Sequence, residues 1–321
     1  MQLTLFEYNQ IEECLPKQPI AELFGFPPES NTPEAERYRN TRFCPYHNKV
    51  PSCTKDSVTD PLGVCSIHHG NDLAIICPVR LRQDWLIAEH AANFFFPKDT
   101  RWTTLVEVRL KDKYGKSAGN IDVVLVAYDE DEKVIDFGSL EVQTVYISGT
   151  LRKTFFKPIM ENRETYLNAH WESSRKKNPH PDYLSSSRKR LAPQLIYKGG
   201  ILKAWNRKQA VAVHSAFYNT LPVLPEVSQD KADIAWLIYD LVFDGGQQRY
   251  KLTLTRTVYT EFKPALDKIT ISEPGPIDSF MASLQKKLDA KLEGASLEQL
   301  SDVSPDVPAD EPDILDDLEN L

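Results

Sequence analysis

Little in this chain would place it in a membrane, a secretory pathway or a nucleotide-binding fold. Among its 321 residues no apolar stretch approaches the length needed to cross a bilayer, and the most hydrophobic runs are strand-length. The opening MQLTLFEYNQIEECLP carries early acids and no long apolar core, so no secretory leader is expected and a reducing, cytoplasmic setting is. No P-loop, dinucleotide fingerprint or internal repeat occurs. Cysteine is scarce at five, with no CxxC pair, which excludes ordinary zinc-ribbon spacing. Basic residues are absent from 292–321, which holds ten acids among prolines and small residues; that segment reads as a disordered tail.

The tail also accounts for the net charge of −8, which at first argues against a nucleic-acid partner. Without it, 38 basic residues face 36 acidic ones. Residues 149–208 are strongly basic, with fourteen Lys or Arg against four acids, including Arg152, Lys153, Lys157 and the runs 175–177 and 188–190. An excess of that size is a phosphate-binding footprint, and SSSRKR, near Pro179 and Pro181, reads as a loop that orders on DNA. A solvated surface loop is the plain alternative.

Period-two alternation marks strands around 104–110, 120–128 and 139–147. In the second, Ile121, Val123, Leu125 and Ala127 are expected on one face and Asp122, Val124 and Val126 on the other. In the third, Glu141, Gln143 and Val145 share a face. Glu107 lies in the first strand, fifteen positions before Asp122. Acids among β-branched residues need partners, because desolvating a charge is costly. A divalent cation held at one sheet edge by Glu107, Asp122 and Glu141 would supply one; for any single acid a sheet-edge or salt-bridge role is the commoner reading, and it is the set that points to a metal.

The other cysteines, Cys44, Cys53, Cys65 and Cys77, fall in one Pro- and Gly-punctuated stretch, separated by eight, eleven and eleven residues. Four thiolates there can close a tetrahedral zinc or iron site, with His47, His68 and His69 in reserve. Two disulfides are the competing reading, disfavoured in a reducing compartment. Cys14 stands apart as a free or buried thiol.

Asp122, then Glu141 and Gln143 on the next strand, followed by a basic helix, resemble the PD-(D/E)xK nuclease superfamily. Gln143 departs from its pattern, standing where a lysine usually positions the attacking water. A glutamine orients water through its amide but brings no charge. Adding the cysteines, the order Cys44, Cys53, Cys65, Cys77, Glu107, Asp122, Glu141, Gln143 across roughly residues 35–260 resembles the NotI-type restriction endonucleases, in which a four-cysteine iron site precedes the core. The resemblance implies an α+β (α/β) core with a mixed sheet flanked by helices. It also implies Mg²⁺, which Mn²⁺ can replace, at Asp122 and Glu141, with Glu107 assisting and Gln143 orienting water. A structural iron or zinc would occupy the cysteines. The function implied is type II cleavage of double-stranded DNA at a GC-rich palindrome by a homodimer, with a DNA methyltransferase as genetic partner and no membrane involvement. A non-cutting DNA-binding protein and a structure-specific repair nuclease are the other classes.

The remaining pattern predicts three regions: 1–79 with the cysteine module, a core over 80–275, and 276–321 with a short amphipathic helix before the tail. Helices are expected over 80–96, carrying Glu89 as the rival accessory acid, and over 152–172. QAVAVHSAFY (209–218) reads as a buried strand with His214 as a hydrogen-bonded core histidine, followed by a hairpin turning at Asp244-Gly245-Gly246.

Overall fold

The alternating strands assemble one six-stranded mixed sheet, seen in a computed structural model that describes residues 18–47, 51–70, 72–167, 179–272 and 274–292. Cys14, the basic run 175–177, Trp171 and the acidic tail lie outside the described residues. Strands β4 (Trp102–Lys111), β5 (Ser117–Tyr128) and β6 (Val134–Gln143) form an antiparallel meander. Strand β9 (Gln209–His214) pairs parallel to β6, β10 (Ile234–Asp244) parallel to β9, and β11 (Arg249–Thr260) closes the far edge as the expected hairpin. Between them, β7 (Tyr146–Ser148) and β8 (His180–Asp182) make a small ladder.

One sheet face packs Val123, Leu125, Leu140, Ala212 and Leu237 against the helix Leu86–Phe95. The other lies beneath a helical run over 183–204 and a helix over Phe262–Thr270, with Leu195, Val213 and Trp236 central. In chain order the helices used below are α1 (Pro33–Thr41), α2 (Leu86–Phe95), α3 (183–204) and α4 (Phe262–Thr270). Close packing of α2 explains Gly138 on β6, where a Cβ would fall 2.3 Å from the Phe95 ring.

The helix expected over 80–96 is a true α-helix only from Leu86. Asp84 and Trp85 take left-handed backbone (φ 51° and 54°), breaking the run from the preceding 3₁₀ turn. Tertiary bonds explain the break: Gln83 Oε1 accepts from Arg80 Nη1 at 2.8 Å and from the Leu252 amide at 3.0 Å. The expected strand 209–218 ends at His214, and Ser215–Tyr218 turns into a short helix. SSSRKR is helical instead of a loop, inside α3, whose turns widen to π geometry at Ser186–Leu191 and Leu195–Gly199. After β7 the described helical turns cover 152–161 and 163–167, with a break at Asn162.

The cysteine region folds on a second, three-stranded antiparallel sheet: β1 (Ile20–Leu23), β2 (Val64–His69) and β3 (Asp72–Ile75). Its core of Ile20, Leu23, Val64 and Ile67 receives Phe155, Phe156 and Tyr166 from the turns after β7. A fully buried ion pair joins this sheet to the larger one. Arg80 Nε donates to both carboxylate oxygens of Glu22 at 2.8 and 2.9 Å, and its Nη2 reaches the Tyr250 carbonyl on β11 at 2.9 Å. Ser66 Oγ donates to Glu22 at 2.7 Å, and the guanidinium lies 4.2 Å over the Tyr46 ring. Val145, two residues past Gln143, adds a backbone bond to Ile75 O at 3.1 Å.

The chain up to Thr270 forms one compact unit and Ile271 opens a second, in which the expected short helix spans Ile277–Leu292. Among the described residues no helix is long and apolar enough to cross a membrane. Glu22→Gln leaves Arg80 as an uncompensated buried cation, and is expected to lower unfolding free energy by about 3–5 kcal/mol. Denaturant titration checks this; a shift within ±0.5 kcal/mol, about that of an ordinary surface substitution, would show that the pair is not holding the sheets together.

Candidate active site and cysteine cluster

The meander's register brings the three acids to one rung. Val106 pairs with Val123 and Val108 with Ile121, so Glu107 stands opposite Asp122. Val123 pairs with Leu140, and one step further Asp122 stands opposite Glu141. Regular pairing fails at that step. Asp122 Oδ2 instead accepts the Val142 amide of β6 at 2.8 Å, so a side chain takes the place of a backbone acceptor. Glu107 has left-handed backbone (φ 55°), a conformation that costs a non-glycine residue energy and gathers at functional sites. Faces change across this rung. Val106 and Val123 pack on the α2 side, whereas Val108 and Ile121 join Val124 and Val126 beneath α3. Ile121 therefore does not share the face of Val123 as simple alternation predicts, because the left-handed residue and the lost pairing rotate the strands.

Glu141 is fully buried and Asp122 half-buried beside it. Burial, and then the neighbouring Asp122 charge, push the Glu141 carboxyl up to about 7, and the two carboxyls reach each other for a hydrogen bond. The opposing influence is Lys198 of α3, whose Nζ donates to Glu141 Oε2 at 2.6 Å and to Asn120 O at 2.8 Å. Gln143 is buried, and its Nε2 donates to Thr144 O at 2.7 Å. Glu107 is exposed and is not among the groups that shift Glu141. Glu89, the rival acid, is exposed on α2. Two adjacent carboxylates in a buried setting suit a hard divalent cation, which would remove their repulsion. Among the described residues no three His, Cys, Asp or Glu side chains converge as a ready metal cage.

The described cysteines form no such cage either, yet their chemistry fits a thiophilic metal. Cys44, Cys53, Cys65 and Cys77 are all free thiols, and each of the others acts on Cys65 through its charge. The backbone at Tyr46 and His47 pulls the Cys44 pKa down, and that at Lys55 and Gly63 does the same for Cys53, an influence that favours thiolate. Burial dominates without a metal, pushing the Cys44 thiol up to about 12. The His69 ring packs 5.8 Å from that of Tyr183.

The basic footprint is smaller than its formal charge. Arg152 is bound to Asp56 and Asp60 in the loop between Cys53 and Cys65, Arg163 to Glu36, Lys203 to Asp233 and Arg207 to Asp136. Arg188 and Arg190 remain exposed on α3, Arg190 over the Tyr146 ring at 4.8 Å. His214 is the hydrogen-bonded core histidine expected: its Nδ1 accepts the Ala216 amide at 3.3 Å, and burial pulls its pKa down to about 4.

Lys198 is the site residue that sequence reasoning missed. It lies 57 positions from Glu141, inside a region whose basic residues all read as phosphate contacts.

The family model described as restriction endonuclease NotI matches residues 32–252, well over half of the chain and spanning the cysteines, the three acids and Lys198. No curated protein matches the chain.

Glu141 makes the metal-free fold pH-dependent. Its carboxyl is raised from 4.5 to about 7, so its contribution to stability is complete below pH 4.5 and is lost as pH rises through about 7. In EDTA the urea midpoint is expected to fall between pH 4.5 and about pH 8, and Glu141→Gln to flatten that limb. Equal slopes in the two proteins would exclude Glu141 as the source.

Proposed function

Because the chain belongs to the NotI family of restriction endonucleases, and so is a site-specific deoxyribonuclease that binds double-stranded DNA, we propose that it makes Mg²⁺-dependent cuts at a GC-rich palindrome through Asp122 and Glu141. The observation that carries the site is the Asp122–Glu141 pair, set where β5 leaves its backbone pairing with β6 after Val123 and Leu140. Asp122 and Glu141 would hold Mg²⁺ or Mn²⁺, with Glu107 contributing through water from the exposed edge. A bound cation supplies positive charge for the scissile phosphate and acidifies the attacking water. The Val142 amide fixes Asp122, and Lys198 fixes Glu141. With its Nε2 on Thr144, Gln143 would orient water through its carbonyl oxygen. Hydrolysis leaves a 5′-phosphate and a 3′-hydroxyl.

Each chain carries one such carboxylate pair, whereas a double-strand cut needs two related by the dyad of the DNA. A homodimer on a palindrome meets that need. A DNA methyltransferase acting on the same site would protect the host. The four cysteines would hold one structural iron or zinc, the backbone around Cys44 and Cys53 favouring the thiolates.

Incubation with unmethylated plasmid and phage DNA, in Mg²⁺ and in EDTA, with ends mapped by sequencing, tests the whole reading. Discrete Mg²⁺-dependent fragments sharing one palindrome are expected; uncut DNA under every condition would reject it. Asp122→Ala is expected to abolish cleavage while DNA affinity and melting temperature stay near those of the parent. Cys65→Ser is expected to lose bound iron or zinc, measured by elemental analysis, and to weaken both stability and DNA binding. A variant that retained full activity with empty cysteines would remove the structural-metal assignment.

A further inference from the structure

Gln143 leaves β6 without a cation, and α3 brings one to the same carboxylates. Lys198 is 3% exposed, a rare state for a side chain whose ammonium is strongly hydrated. Two of its donors go to Glu141 Oε2 and Asn120 O, so the ammonium bridges β6 and β5 beside Asp122. A lysine has three donors, and no acceptor for the third is present among the described residues.

The surroundings are built for this reach. Lys198 lies in the widened π turn Leu195–Gly199, a distortion that recurs at functional sites. The next residue, Gly199, allows close approach to the sheet: a Cβ there would fall 2.6 Å from the Phe262 ring and 3.0 Å from Gln209 Oε1. Across from it, Gly119 (φ +109°) borders the lysine stem, with its Cβ position 3.6 Å from Lys198 Cδ.

We propose that Lys198 supplies the positive charge that Gln143 does not, donating its third N–H to a non-bridging oxygen of the scissile phosphate as negative charge develops there. The inference rests on the hydrolytic reading of Asp122 and Glu141. Lys198 takes no part in the proton transfers. The water oxygen bonds to phosphorus, the bond from phosphorus to the 3′-oxygen breaks with its electron pair left on that oxygen, and the water's protons pass to the 3′-hydroxyl and solvent.

Single-turnover cleavage of a duplex carrying the site mapped on plasmid DNA tests this with Lys198→Met and Lys198→Arg, DNA affinity being measured in Ca²⁺. Lys198→Met is expected to cut on the order of 100-fold more slowly with DNA affinity retained, and Lys198→Arg to recover part of the loss. The decisive readout is a phosphorothioate at the scissile position. One diastereomer should slow the parent enzyme more than the other, and that difference should shrink in Lys198→Met. If Lys198→Met fails to fold, the same comparison with Lys198→Arg decides. An unchanged diastereomer difference, or a loss confined to melting temperature and DNA affinity, would reduce Lys198 to a structural prop. Asp122→Ala run in parallel separates the two readings: if it cuts normally the hydrolytic site is misassigned, whereas if it is inactive while Lys198→Met cuts at the parent rate, only this proposal fails.

Discussion

The architecture depends on one buried charge pair, Glu22 with Arg80. Both side chains are withdrawn from water, a state that holds only where every polar atom finds a partner. Here the carboxylate takes Arg80 and Ser66, while the guanidinium takes Glu22, Gln83 and a β11 carbonyl. The cysteines are threaded onto this pair: Cys65 precedes Ser66, and the Arg80 amide bonds Cys77 O at 3.0 Å. Packing of the small sheet against the large one and placement of the thiols are thus one structural event.

A second constraint acts at the acids. A regular strand would hide half of these side chains in the core and turn the rest to solvent. The left-handed backbone at Glu107 and the abandoned pairing at Asp122 interrupt that alternation where acidic side chains must meet. Burial makes the ionised Glu141 costly, and a cation or a proton relieves it. Lys198 provides a fixed cation at Oε2.

Much of this was legible in the sequence. Period-two alternation located β4, β5 and the second half of β6, the Asp244-Gly245-Gly246 turn marked the β10–β11 hairpin, and Asp122 and Glu141 do meet on neighbouring strands. Long-range bonds account for what was not. Nothing local to 80–96 announces that Gln83 will bond Leu252 and break the helix. Arg152 reads as a phosphate ligand until the fold places Asp56 and Asp60 against it. Lys198 carries no local mark either, since a buried lysine and a surface one are written with the same letter. The positive φ of Glu107 had no glycine to signal it.

The single backbone bond from Val145 to Ile75 carries a further consequence. It lies two residues from Gln143 on one side and two from Cys77 on the other, so no slack loop separates the thiol cluster from the strand that carries Glu141. Such a splice makes the two regions one cooperative unit: a fluctuation that opens the cysteine sheet also frays the end of β6. Hydrogen exchange at amides 140–145 would then follow the opening of the cysteine region instead of the global unfolding of the large sheet. The durability of the carboxylate site would be set by its least stable neighbour.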